Sequence, residues 1–387
     1  MSKNIEIELI KKINEQNKEQ NFTVSPIGLE IILSLLSNGA EGETQKEILQ
    51  LLNYEDIDKA NNSSKEIIDE CQKNDEVLKI ASAILTKVKS KTTFITNARE
   101  KYDAMIDELK NFETINNWAK KKTKNTINKI IESLPPEVLM ILLNAIYFEA
   151  EWEKKFDQNL SYDREFMNLD KASLKVRTNM LFYRGESLNY YENDEIEAVK
   201  LNYKSKNKSI YAIVILPKTL NLNLYISNIF DKEKYDEIIE GLSDEKEKVN
   251  VNFIMPKFEM EYKIDFCNIL KELGMKKAFT DEAELEGIYN HKSNVPIYVG
   301  QVIQKNFIKT NEHGTQGGSV TELDVILECY MDLDPHAKNF ICNKPFLFII
   351  RDEQLPKDRD IIFLLNFAKL KKIIKDKYIY KIFKFKK

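Results

Sequence analysis

Cysteine is scarce in this chain of 387 residues, and the four that occur lie far apart. They are Cys71, Cys267, Cys329 and Cys342. Zinc sites and disulfide frameworks place cysteines at short, recurring spacings, and this pattern has neither. The sequence therefore predicts no metal site and no disulfide scaffold, and it favours a reducing compartment.

Histidine is rarer still, with three residues in the whole chain: His291, His313 and His336. None lies beside a motif nucleophile, which a hydrolase of the serine or cysteine type needs. Ser25 precedes Pro26 and an apolar helical pattern, so we interpret it as a helix N-cap. We expect a protein that is not an enzyme, with no catalytic residues and no cofactor.

Long apolar runs and a strong excess of one charge are also missing. No stretch approaches transmembrane length, and residues 1–9 lack the apolar core of a cleavable signal peptide. A formal net charge of -4 gives no general attraction to nucleic acid. We therefore expect a cytoplasmic protein without a nucleic-acid partner, and we also expect a monomer. Release or secretion without a cleavable signal peptide is the alternative.

The most informative stretch is residues 312–328, which reads Glu-His-Gly-Thr-Gln-Gly-Gly-Ser-Val-Thr-Glu-Leu-Asp-Val-Ile-Leu-Glu. Alternate positions from Thr315 to Leu327 are small and then apolar, whereas the positions between them are mostly polar. A period of two is typical of a half-buried strand, although the three glycines favour a loop. Two interpretations follow: a hairpin strand entered through a glycine-rich turn, or a loop that becomes a strand in another state.

Other motifs accompany this stretch in a fixed order. Residues 21–44 predict a short strand, a capped helix and the start of a second helix. Residues 140–148 are almost continuously apolar, as in a strand covered on both faces. Residues 256–258 read Pro-Lys-Phe, and residues 343–347 read Asn-Lys-Pro-Phe-Leu. With Glu-His-Gly-Thr at 312–315, this set resembles the serpins, in particular the intracellular, ovalbumin-like (clade B-like) type that has no signal peptide.

This resemblance implies the architecture. A serpin has an α+β fold with three β-sheets, about eight to nine helices and an exposed reactive centre loop. The serpin domain would cover residues 1–370, with the loop at about 312–339 and a basic C-terminal extension at 371–387. It would inhibit a serine protease as an irreversible suicide substrate, because the cleaved loop inserts into the central sheet and traps a covalent acyl complex.

The resemblance also implies which residues act. The hinge of the loop would comprise Glu312, Gly314, Thr315, Gln316, Gly317, Gly318, Ser319, Val320 and Thr321. Residues that control opening of the central sheet, the breach and shutter of the family, would be Trp152, Lys257, Ser25, Asn144 and Gln304. Glu312 is expected to pair with Lys257. Gln304 replaces the usual histidine and is expected to bond Asn144, while Gly28 replaces a usual serine.

The position of the cleaved bond follows from counting about sixteen residues from Glu312, the register that loop insertion requires. This gives Glu328-Cys329 as the reactive bond, with Leu327, Tyr330 and Met331 as alternatives. Residues 313–337 contain no Lys or Arg, which makes trypsin-like proteases poor targets. Chymotrypsin-like, cathepsin G-like or elastase-like enzymes are favoured, and acid-directed enzymes of the caspase or granzyme B type are the alternative.

Two further interpretations stay open. The segment Gly-Gly-Ser-Val at 317–320 stands where the family prefers alanines, so a non-inhibitory binding or chaperone protein with the serpin fold is the alternative function. The extension 371–387 alternates lysine with aromatic and apolar residues. It is expected either to bind an anionic surface or polyanion, or to form an edge strand guarded by its lysines.

Overall fold

The structure of the protein is a computed structural model. The structure describes residues 1–17, 19–74, 76–109, 111–133, 137–168, 175–206, 208–228, 230–289, 296–316 and 333–370. Several predicted residues lie outside these ranges: Gly317, Gly318, Ser319, Val320, Thr321, Leu327, Glu328, Cys329, Tyr330, Met331, His291 and the extension 371–387.

Nine α-helices occur within the described residues. They are α1 (Lys3–Gln16), α2 (Pro26–Ser37), α3 (Gly42–Leu52), α4 (Ile57–Lys73), α5 (Thr92–Tyr102), α6 (Phe112–Lys122), α7 (Leu222–Asn228), α8 (Lys232–Gly241) and α9 (Cys267–Glu272). None of these helices is both long and apolar enough to cross a membrane.

Seventeen strands in the described part of the chain form three sheets. The central sheet contains β2 (Leu78–Thr86), β3 (Met105–Glu108), β4 (Met140–Phe148), β5 (Ala150–Glu151), β12 (Phe258–Asp265), β13 (Gln301–Thr310) and β14 (Gly314–Gln316). The six-stranded sheet contains β1 (Phe22–Val24), β8 (Tyr190–Glu192), β9 (Ile196–Asn202), β10 (Ile210–Pro217), β16 (Phe346–Asp352) and β17 (Ile361–Phe367). The four-stranded sheet contains β6 (Tyr162–Met167), β7 (Lys175–Leu188), β11 (Val249–Pro256) and β15 (Lys338–Ile341).

The central sheet separates two apolar clusters. All nine residues of β4 are buried, which explains why its sequence does not alternate. On one face, α2 packs beneath β4 in the larger cluster. On the other face, a smaller cluster joins α6 and the segment after it to the strands. The predicted α+β fold with three sheets and eight to nine helices is confirmed.

Helix α2 anchors the underside of the sheet. Ser25 is its N-cap, accepting a hydrogen bond from the Gly28 amide, and Pro26 occupies the first turn. Every residue of α2 is buried, as expected for a helix that is mostly apolar and lies beneath a sheet. The cap role assigned to Ser25 from the sequence is confirmed.

Candidate functional site at the end of the central sheet

The chain reverses direction immediately after β13. The Asn311 side-chain oxygen accepts hydrogen bonds from the backbone amides of His313, at 2.9 Å, and Gly314, at 3.2 Å. The Asn311 backbone amide donates to the Gly314 carbonyl at 2.9 Å. A Cβ atom at position 314 would overlap the backbone carbonyl of Ala150, so the close approach of two strands requires glycine there.

The strand after this turn already lies inside the sheet. In β14, Thr315 pairs with Thr310 of β13 on one side and with Ala150 of β5 on the other, both antiparallel. Below this point β13 and β4 pair directly with each other in parallel, over Gln301–Asn306 and Ile141–Ile146. We call this contact between β4 and β13 the seam. The two strands are paired directly along the whole seam, and β14 lies just beyond its upper end.

Thr315 is fully buried beneath the turn. Its hydroxyl lies 2.6 Å from the Tyr203 hydroxyl and 3.2 Å from that of Thr310. The Trp152 ring stacks on Tyr203 at 4.4 Å, and its Nε1 donates to the Asn311 carbonyl at 2.9 Å. Burial raises the pKa of Tyr203 well above its usual range, so this phenol stays protonated. The upper end of the seam is therefore a buried pocket in which two hydroxyl groups contact one small hydroxyl side chain.

Glu312 fixes the turn from the other side. Its carboxylate is 1% exposed and lies 2.5 Å from the Lys257 ammonium nitrogen. The Ser161 hydroxyl donates to the same oxygen at 2.5 Å. The contact expected between Glu312 and Lys257 is present, and it joins the turn to the start of β12 across the sheet end.

Removing the Lys257 charge is expected to destabilise the protein by about 3 kcal/mol, because the Glu312 carboxylate would stay buried without its cation. The variant Lys257→Met tests this by urea unfolding. The double variant Lys257→Met/Glu312→Gln has no buried charge left and should recover most of the loss. Equal stability of Lys257→Met and the parent protein would contradict the importance of this pair.

A second cluster ties the strands beneath the middle of the seam. The Gln304 side-chain oxygen accepts from the Ser25 amide at 2.7 Å and from Asn306 Nδ2 at 3.0 Å. Its Nε2 donates to the Ser25 carbonyl at 2.9 Å and to Asn144 Oδ1 at 3.0 Å. Asn144 Nδ2 then donates to the Ser82 hydroxyl at 3.1 Å. This chain of bonds crosses β2, β4 and β13 and reaches the start of α2, and the expected bond between Gln304 and Asn144 is present.

The same cluster explains the glycine at position 28. A Cβ atom there would overlap Asn144 Oδ1 and press on Ile146. Gly28 therefore leaves room for the amide that bonds Gln304, so the two departures from the family pattern are structurally linked. The five residues grouped as breach and shutter fall into two places: Trp152 and Lys257 at the upper end, and Ser25, Asn144 and Gln304 beneath the seam.

The variant Gly28→Ala is expected to lower the free energy of unfolding by about 2 kcal/mol, because an added methyl group forces the Asn144 amide to move. Urea unfolding measures the change. Ser34→Ala on the same helix is the matched control, since the Ser34 hydroxyl has no partner among the described residues and its loss should be nearly neutral. Unchanged stability of Gly28→Ala would show that Asn144 is not confined here.

The face of the sheet opposite α2 carries a covering segment, residues 123–131. Ile127, Ile130 and Ile131 are buried in the smaller apolar cluster. The Lys305 ammonium of β13 donates to the Lys129 carbonyl, which ties the segment to one side of the seam. The Asn116 side chain of α6 bonds the amides of Ile130 and Ile131 at 2.8 and 3.1 Å.

Comparison with known proteins identifies the family. The sequence model of the family described as "Serpin (serine protease inhibitor)" matches residues 2–364. The chain belongs to the serpin family.

Relatives of this serpin cover almost the whole chain at low identity. Iripin-2 of Ixodes ricinus is 28% identical over 374 residues, covering 91% of this chain and 88% of the relative. Leukocyte elastase inhibitor of Xenopus tropicalis is 26% identical over 359 residues, covering 89% and 92%. The crystal structure of Serpin48, a highly specific serpin of the insect Tenebrio molitor, superposes with a TM-score of 0.79 at 26% identity and covers 95% and 97% of the two chains.

Several residues of this serpin's site were not identified from the sequence. Tyr203 supports Thr315, Ser161 bonds Glu312 and Asn311 forms the turn. Tyr203 ends an apolar strand pattern that gives no hint of its partner. The one available signal for this turn was Asn311, which lies three residues before Gly314, because Asn side chains often bond the backbone of a turn.

Proposed function

We propose that this serpin inhibits serine endopeptidases as an irreversible suicide substrate and is not itself an enzyme. The observation that carries the proposal is the position of β14. It already lies between β5 and β13, whereas β4 and β13 are still paired directly below it. A strand that continued downward from Gln316 would separate β4 from β13 and gain a ladder of backbone hydrogen bonds on each side.

The proposed inhibition is a race between two steps. The protease serine attacks the reactive bond and forms an acyl-enzyme, which water normally hydrolyses. If the cleaved loop inserts first, about fifteen residues at ~3.3 Å each carry the tethered protease ~50 Å. Distortion of the protease then removes oxyanion stabilisation, so that deacylation stops.

The two clusters would have different roles in that race. At the upper end, Trp152 and Tyr203 would guide the first small side chain inward, and the pair Glu312–Lys257 would hold the turn in place. Beneath the seam, the bonds of Ser25, Asn144 and Gln304 would keep β4 and β13 together until insertion begins. Of the proposed hinge, Gly314, Thr315 and Gln316 already form β14.

We propose chymotrypsin-like, cathepsin G-like or elastase-like enzymes as the target class, with cleavage at Glu328-Cys329 or beside Leu327, Tyr330 or Met331. The lack of Lys and Arg between residues 313 and 337 supports this choice over trypsin-like enzymes. Cleavage after Glu328 itself would instead indicate an acid-directed enzyme of the granzyme B or caspase type.

Incubation of the full chain with chymotrypsin, cathepsin G, elastase, granzyme B and trypsin, followed by denaturing electrophoresis, tests the proposal. A complex of serpin plus protease that survives SDS is expected with at least one of the first three enzymes. The mass of the released C-terminal peptide identifies the cleaved bond. Cleavage without any stable complex across the panel would favour the non-inhibitory binding or chaperone function.

The domain boundary, cellular location and assembly are proposals too. We place the serpin domain at residues 1–370, with 371–387 as an extension that binds an anionic surface or polyanion. Deletion of 371–387 should leave inhibition intact and reduce binding to anionic vesicles.

We also propose a cytoplasmic monomer of the ovalbumin-like type. The similarity to leukocyte elastase inhibitor supports this, as do the buried thiols of Cys71 and Cys342, whose pKa values burial raises.

A further inference from the structure

The basic extension, residues 371–387, leaves the described part of the chain at a fixed point. Asn168, which follows β6, accepts a hydrogen bond from the Leu370 backbone amide at 2.8 Å and donates one to the Leu370 carbonyl at 3.1 Å. Asn21 bonds Lys369 in the same manner: its side chain accepts from the Lys369 amide and donates to the Lys369 carbonyl, both at 2.8 Å. Two asparagine side chains therefore hold the backbone from which the extension starts.

This exit point is connected by a short path to the C-terminal end of the proposed reactive loop. Met167, next to Asn168, donates its amide to the Asn343 carbonyl at 2.8 Å. Asn343 follows β15 by two residues, and β15 begins at Lys338, where the proposed loop ends. The path from Lys338 through these contacts to Leu370 is at most roughly 35 Å long, because five residues span no more than about 18 Å.

The extension is long enough to bridge that separation. Its 17 residues span at most about 60 Å. A protease domain of about 230 residues is ~45 Å across. The lysines in the distal half of the extension therefore come within range of a protease held at the reactive bond.

The extension and the rest of the chain carry opposite charges. Residues 371–387 contain eight lysines and one aspartate, which leaves 50 Lys and Arg against 61 Asp and Glu in residues 1–370. The formal net charges are therefore +7 and −11. A protease with an acidic surface is repelled by residues 1–370 and attracted by the extension. Because salt screens charges over about 10 Å at 0.1 M, the position of the +7 charge near the loop decides which effect dominates there.

We propose that residues 371–387 recruit a target protease whose surface is acidic beside its active site, and so speed its encounter with the reactive loop. Tyr378, Tyr380, Phe383 and Phe385 are interleaved with the lysines. Aromatic residues are enriched in protein interfaces, so they suit a protein partner. This inference rests on the proposed inhibition and deepens it, because it names the anionic surface that the extension binds.

Chymotrypsin and succinylated chymotrypsin serve as matched probes, because succinylation converts surface lysines into carboxylates. Electrophoresis measures the second-order rate at which intact chain is consumed, counting stable complex and cleaved chain together. At about 0.01 M salt, where the Debye length is ~30 Å, the full chain should react with succinylated chymotrypsin at least about tenfold faster than the chain without 371–387. At about 1 M salt the two rates should agree within about twofold. Toward unmodified chymotrypsin the extension should give no acceleration.

Charge variants separate local attraction from chain length and from net charge. Replacing four lysines of the extension by glutamine should slow the reaction with succinylated chymotrypsin at least about threefold, whereas arginine at the same positions should keep the fast rate. The glutamine variant carries Lys377→Gln, Lys381→Gln, Lys384→Gln and Lys386→Gln. The matched control removes four exposed cations from α3, α4 and α5, helices that pack against α2 and β2, and should react like the parent protein. It carries Lys46→Gln, Lys59→Gln, Lys65→Gln and Lys101→Gln.

The outcomes distinguish this inference from the proposed inhibition. Cleavage without stable complex would contradict inhibition, while a tenfold advantage of the full chain at low salt would still support recruitment. Equal rates for the full and the shortened chain would overturn recruitment, whether or not a stable complex forms. Equal rates together with binding of the extension to anionic vesicles would assign the extension to a lipid surface instead.

Discussion

A single cut within residues 325–334 is expected to raise the melting temperature of this serpin by about 20 °C. Insertion of the freed strand along the seam would add on the order of 20 backbone hydrogen bonds, each worth about 1 kcal/mol net. For a chain of this length the unfolding entropy converts about 1 kcal/mol into roughly 1 °C. Differential scanning calorimetry of intact and nicked protein measures the shift.

The direction of this change in melting temperature distinguishes a serpin that inserts its cleaved loop from a protein whose cleaved loop stays outside the sheet. Nicking an exposed segment that does not insert leaves stability unchanged or lowers it. A melting temperature that did not rise after complete cleavage, verified by mass, would therefore contradict loop insertion and the inhibitory mechanism together. It would leave the family assignment and the fold untouched.

On the proposed mechanism, replacement of Thr315 by Arg is expected to turn an inhibitor into a substrate of its target protease. Thr315 is fully buried against Tyr203 and Thr310, so the new guanidinium would be an unpaired charge in a buried pocket. The substituted side chain would keep β14 out of the sheet before cleavage and would have to enter it during insertion. Strand entry then slows by more than a hundredfold if about 3 kcal/mol of this penalty appears in the insertion barrier. Denaturing electrophoresis should show cleaved serpin in place of stable complex.

His313→Arg is the matched control for this variant. His313 is half-buried in the same turn, and its ring nitrogen lies 2.8 Å from Gln158 Nε2, outside the pocket that receives Thr315. The control places the same charge two positions earlier and should still form complex. Equal loss of complex in both variants would indicate a general effect of charge at the hinge instead of burial at position 315.

The sequence predicts much of this fold because each signal is local. Ser25-Pro26 is a helix start wherever it occurs before an apolar periodic segment, and the apolar run of β4 requires cover on both faces. The contact between Glu312 and Lys257 could be expected because both residues stand in motifs that the family resemblance places together. The first two features needed no knowledge of how distant segments pack, whereas the contact between Glu312 and Lys257 was expected only from the family resemblance.

The features that the sequence could not provide depend on such packing. Tyr203 meets Thr315 only because the end of the six-stranded sheet approaches the end of the central sheet, at the bridge between Trp152 and Tyr203. Gly28 was visible as a departure from the family pattern, but its cause is the close approach of Asn144, which lies on β4, to helix α2. The alternation at 312–328 left a hairpin and an inserted strand open. At residues 314–316, the described start of that stretch, the chain forms both, since β14 turns back on β13 and also pairs with β5.

The cluster beneath the seam consists of amides and hydroxyls alone: Gln304, Asn144, Asn306, Ser25 and Ser82. None of these groups gains or loses a proton between about pH 5 and pH 8. A histidine at position 304 would make the strength of this cluster vary over that range. Lowering the pH within this range should therefore leave these hydrogen bonds unchanged. The resistance of the seam to opening would then be the same in acidic and in neutral surroundings.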